Sequence, residues 1–135
     1  MQFTVFTTLA SLAIGSYAAV IPRQGTSNPR LAQFRVFSQT GCFALNEGFY
    51  TIDTDQSNIC HDLYSGSSST PNGYVSIELE ATTDAAANCE LLLYSDRNCT
   101  QTETVSPLDT CEDASVVQEG ASYPTWNSYY YKCGA

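Results

Sequence analysis

The stretch G-Y-V-S-I-E-L-E-A, residues 73–81, alternates apolar Val75, Ile77 and Leu79 with polar Ser76, Glu78 and Glu80. A period of two places successive side chains on opposite faces, so these residues predict a strand with one buried and one wet face. Its entry, S-S-S-T-P-N-G ending in Asn72-Gly73, is a run of turn formers. In C-E-L-L-L-Y-S-D-R-N-C, residues 89–99, Cys89, Leu91 and Leu93 share one face while Leu92 and Tyr94 share the other. Apolar residues on both faces predict a central strand. Upstream, Phe34 and Val36 face one way with Arg35 opposite, and G-F-Y-T-I-D follows an N-E-G turn. Further short strands are expected at A-S-V-V-Q-E, residues 114–119, and at S-Y-Y-Y-K-C, residues 128–133. Helix is expected only in brief turns at N-I-C-H-D-L-Y around Cys60 and at D-A-A-A-N before Cys89. Closely spaced strands with turn signals between them predict an all-β sandwich or barrel. The echo of L-Y-S-G (63–66) in L-Y-S-D (93–96) is too short to be read as a repeat.

Cysteine number and the start of the chain set the compartment. Residues 1–18 are apolar and rich in small residues, and their core from Phe3 to Gly15 is too short to cross a bilayer comfortably. Ser16 and Ala18 suit the −3 and −1 positions of a signal-peptidase site, which predicts a secretory signal peptide cut after Ala18. Residues 19–30 read as a short pro-segment or disordered tail with a processing site at Pro22-Arg23, leaving 31–135 as one β domain. Cleavage after Arg23 would expose Gln24, which can cyclise. The mature chain of about 110 residues is single-domain size. The six cysteines behind a secretion signal imply three disulfides. The expected pairing is sequential: Cys42–Cys60, Cys89–Cys99 and Cys111–Cys133. Zinc is disfavoured, since no C-x-x-C pair occurs and His61 is the sole histidine.

Charge excludes more than it identifies. The formal net charge is −9, from five basic and fourteen acidic residues. Such a chain repels phosphate backbones, so no nucleic-acid partner is expected. No second apolar segment approaches membrane-spanning length, and a monomer without cofactor or metal is expected.

Catalytic parts are few. A lone His61 beside Asp62 lacks a serine in nucleophile-elbow context. Glu78 and Glu80 share a strand face, but a wet one, where nothing raises a carboxyl pKa toward general-acid work. The D-T-D-Q-S-N run, residues 53–58, has alternating oxygen ligands, yet Asn58 and Tyr64 stand where an EF-hand needs Gly and Glu. Asn98-Cys99-Thr100 is the sole N-glycosylation sequon, with a cysteine whose early disulfide would hinder the transferase. In the tail, Tyr129 and Tyr131 share a face with Cys133 and are expected in the core. Tyr123, Trp126 and Tyr130 are left as the candidate binding residues.

With signal, Pro-Arg site and six spaced cysteines in place, the chain resembles the small secreted cysteine-rich proteins of filamentous fungi, many of them effector candidates. That resemblance implies a non-enzymatic protein acting on an extracellular protein partner. The segment at 89–99 also resembles the strand, Tyr-Ser-Asp turn and Cys of βγ-crystallin-like secreted proteins, although their calcium signature is absent. The tail N-S-Y-Y-Y-K-C is similar to the end of the fungal cellulose-binding module, with Asn127 and Tyr129 matching. The module's Cys-Gly-Gly start is missing and Lys132 replaces its Gln. A carbohydrate- or cell-wall-binding module using Tyr123, Trp126 and Tyr130 is the alternative. A protease inhibitor displaying residues 65–73 as a rigid loop is a further one.

Overall fold

A computed structural model describes residues 28–63 and 73–134. Its strands, in chain order, are β1 (Arg30–Phe37), β2 (Asn46–Asp53), β3 (Cys60–Asp62), β4 (Ser76–Thr82), β5 (Cys89–Tyr94), β6 (Thr104–Ser106), β7 (Cys111–Asp113) and β8 (Ser128–Cys133). They build two four-stranded sheets, ordered β2-β1-β4-β7 and β3-β8-β5-β6. Every strand pairing is antiparallel. The result is the small disulfide-stabilised β-sandwich expected, with β5 inside its sheet as its two apolar faces require.

Two local expectations change. The predicted helical turn around Cys60 is strand β3, because Asn58 takes a left-handed φ of 58° and cannot start a helix there. Residues 114–119 form no strand. The Ala114 N–H donates to the Val75 carbonyl, and the chain then swings across to the β5–β6 turn, where Gln118 Nε2 donates to Ser95 Oγ. β1 starts at Arg30, and the Pro29 carbonyl just ahead of it accepts from Thr54 N–H. The second helical turn is present as a 3-10 turn at Asp84–Ala86.

The sheet orders conceal a pseudo-two-fold. Adding four to each strand number converts one sheet into the other, so β1–β4 and β5–β8 are equivalent units, each lending its third strand to the other's sheet. The hydrogen bonds obey the same relation. Val75 N–H donates to Phe37 O in one half, and Asn127 N–H donates to Tyr94 O in the other. Tyr74 and Trp126 exchange a reciprocal pair of backbone bonds where the halves meet. Gly73 approaches this crossing so closely that a Cβ there would lie 1.9 Å from the Trp126 carbonyl oxygen. The echo at 63–66 and 93–96 is unrelated to this symmetry, since Leu93 on β5 corresponds to β1 and not to the segment after β3.

The disulfides overturn all three expected pairings. The bridges are Cys42–Cys111, Cys60–Cys99 and Cys89–Cys133. The physical reason is the strand exchange: β3 and β7 sit in the sheet of the other half, so Cys60 and Cys111 find partners there. Cys42–Cys111 joins the β1–β2 hairpin to β7, and Cys60–Cys99 joins β3 to the β5–β6 hairpin. They are symmetry mates. Cys89–Cys133 instead ties neighbouring strands β5 and β8, whose register sets these residues opposite one another.

Between the sheets lies one cluster containing Phe34, Val36, Ile52, Ile77, Leu79, Leu91, Leu93, Tyr129 and Tyr131. Phe34 stacks on Tyr50 at 5.1 Å and meets Tyr129 edge-on at 5.0 Å. Burial pushes the Tyr129 phenol up to about 12. Tyr131 is wholly buried, and among the described residues its hydroxyl has no hydrogen-bond partner. An orphaned buried hydroxyl costs free energy that phenylalanine avoids. Tyr131→Phe is expected to raise unfolding free energy by about 1 kcal/mol, read from urea melts at matched m-values.

Candidate functional site

The tail divides as alternation predicts in one respect and departs from it in another. Tyr129 and Tyr131 are core, and Tyr130 lies half-buried on the outer face opposite Leu92. Trp126, however, is only 2% exposed. Its position at the crossing of the two halves buries the ring, and its Nε1–H donates to the Glu112 carbonyl at 2.9 Å. Of the three candidate binding residues, only Tyr123 is exposed to solvent, at 50%. The aromatic platform of Tyr123, Trp126 and Tyr130 therefore does not form. Tyr64 to Asn72, the body of the loop considered for protease inhibition, lies outside the described residues.

The largest exposed apolar side chains sit elsewhere. The β1–β2 hairpin carries Phe43 at 82% exposure, with Leu45 and Phe49 each at 57%. This hairpin folds back over the outer face of its own sheet. Ser76 points to that face, opposite Ile77 and Leu79, yet is wholly buried. Its hydroxyl donates to Gln39 O at 2.5 Å and accepts from Cys42 N–H at 3.2 Å. With Gly41 N–H held by Asp113 Oδ1 and Cys42 bridged to Cys111, the segment leading into Phe43 is tied down. An exposed phenylalanine on a pinned turn loses little conformational freedom on binding.

The β5–β6 hairpin repeats this clamp with a polar tip. Ser128, also buried, donates to Asp96 O at 2.5 Å and accepts from Cys99 N–H at 3.2 Å. Asp96 in turn accepts from the Asn98, Thr100 and Gln101 N–H groups and from the Thr100 hydroxyl. Burial alone would raise its carboxyl pKa, but these hydrogen bonds outweigh it and hold the group below the usual carboxylate range. Beside the turn is a cavity of about 260 Å³ lined by Arg97, Asn98, Gln118, Glu119 and Asn127, among others.

Several of the suspected catalytic and metal groups are engaged structurally. His61 Nε2 bonds Gln56 O at 2.8 Å, and its ring stacks on Tyr129. Glu80 accepts from Arg35, which lowers its pKa and suits an ion pair rather than a general acid. Asp53 pairs with Arg30 and takes part in the capping box of the 3-10 turn Thr54–Gln56. No group of three or more His, Cys, Asp or Glu side chains that could hold a metal ion occurs among the described residues. Glu112, not singled out from sequence, has its carboxyl pushed up by burial and by Asp113. No sequence signal marks it, because its burial follows from the exchange of β7. No helix of the described residues is long and apolar enough to cross a membrane. No family model matches the chain, and comparisons with curated proteins and with solved structures give no match.

Proposed function

We propose a secreted, non-enzymatic, effector-like binding protein that engages an extracellular protein partner through the β1–β2 hairpin. One observation carries this reading: Phe43 stands 82% exposed on a turn fixed by Cys42–Cys111 and the Ser76 clamp. Leaving an aromatic ring in water on a rigid support gains nothing for folding and suits an interface anchor. Three disulfides in a small domain support the secretory setting. A relation to βγ-crystallin-like secreted proteins belongs to the same proposal. It is supported by β5 running into the Ser95–Asn98 turn and Cys99, as the resemblance at residues 89–99 describes.

The test places a photoreactive phenylalanine analogue at position 43 and, as a control, at exposed Val117. Each protein is exposed to a panel of extracellular protein extracts. A discrete adduct from position 43 only, weakened by Phe49→Ser, is expected. Phe43→Ser should weaken binding of the identified partner roughly 30-fold, about 2 kcal/mol, with stability unchanged within about 0.5 kcal/mol. Equal labelling from both positions would remove the hairpin from the reading. Retention on chitin, cellulose or glucan that survives Phe43→Ser would favour the carbohydrate alternative.

A further inference from the structure

We infer that Asn98 is an N-glycan site whose occupancy is decided by a race against the Cys60–Cys99 disulfide. The inference rests on the secretory reading, and its test separates the two. Asn98 is exposed at the rim of the cavity lined by Arg97, Gln118 and Glu119, so the folded protein has room for a sugar on its amide. The rest of the sequon is locked. The Thr100 hydroxyl donates to Asp96 Oδ2 at 2.5 Å, and the N–H groups of Asn98 and Thr100 donate to the same carboxylate. Cys99 has a left-handed φ of 54°, its N–H donates to Ser128 Oγ, and its sulfur is bridged to Cys60.

A transferase must grip the sequon hydroxyl and bend the segment around its own site. None of those groups is available once this turn is built. In the reaction, Asn98 Nδ2 bonds to C1 of a lipid-diphosphate-linked oligosaccharide. The C1–O bond breaks, the lipid diphosphate leaves with the electron pair, and the amide yields one proton. That step precedes folding of the turn. Cys60 lies 39 residues before Cys99 and is already in the lumen when Cys99 arrives, so closure and glycosylation compete for the same interval.

The full chain is expressed in a eukaryotic secretory host, with its own residues 1–18 and, in parallel, with a heterologous signal peptide. Intact mass is measured before and after N-glycan removal, on both cell-retained and secreted protein. That readout does not require a variant to fold. Partial occupancy is expected in the wild type, near-complete occupancy in Cys60→Ser, and none in Asn98→Gln. An unmodified Cys60→Ser chain behind the heterologous signal overturns the site. Equal occupancy in wild type and Cys60→Ser overturns the race. Failure of the native N-terminus alone, with the heterologous arm glycosylated, would sink the secretory reading and leave the site standing.

Discussion

Replacing Cys42 and Cys111 together by serine is expected to lower unfolding free energy by about 4 kcal/mol. The bridge spans a sequence separation of 69, and closing a loop of that order removes much denatured-state entropy in the chain-entropy model. The loss falls on a domain whose whole stability is typically about 5–15 kcal/mol, so the variant should melt much earlier in urea. The same variant discriminates between pairings. Under the observed connectivity it leaves no unpaired cysteine, because both members of one bridge are gone. Under sequential pairing it would strand Cys60 and Cys133. A thiol titration on the denatured variant should therefore read zero, and two free thiols would contradict the exchanged-strand architecture.

Phe34→Ala is expected to cost about 4 kcal/mol, in the range for emptying a buried aromatic site. Phe34 has no solvent exposure and contacts Tyr50 from its own sheet and Tyr129 from the opposite one. Truncation leaves a cavity that rings held by backbone pairing on both sides cannot collapse to fill. The control is Phe49→Ala on adjacent β2, a ring 57% exposed, which should change stability by less than about 0.5 kcal/mol. Comparable losses at the two positions would mean that the inward and outward faces of this sheet have been misassigned.

The contrast between these two phenylalanines follows from alternation, which is why so much of the fold is legible in the chain. Val75, Ile77 and Leu79 against Ser76, Glu78 and Glu80 already describe β4 and its two faces, and Ser128–Cys133 is the strand that the tail pattern implies. The candidate site was less legible. Trp126 sits in a loop with polar neighbours and a nearby proline, a context that suggests exposure, and its place at the crossing of the two halves, within the core cluster, buries it. Nothing in the sequence marks Phe43 as a binding residue, because a single phenylalanine beside a cysteine is equally consistent with core packing. Its exposure depends on which way the hairpin folds, and the outward-facing Ser76 decides that.

By itself the sequence determined the strand class, the two faces of β4, β5 and β8, the core role of Tyr129 and Tyr131, and the presence of an even set of cysteines. These are local properties, set by a period of two and by residue chemistry. The tertiary structure alone decided which strands meet, and with them the exchange of β3 and β7, the three disulfide partners, the burial of Trp126 and the pinned exposure of Phe43. Each depends on contacts between residues far apart in the chain, and alternation says which face is buried without saying against what.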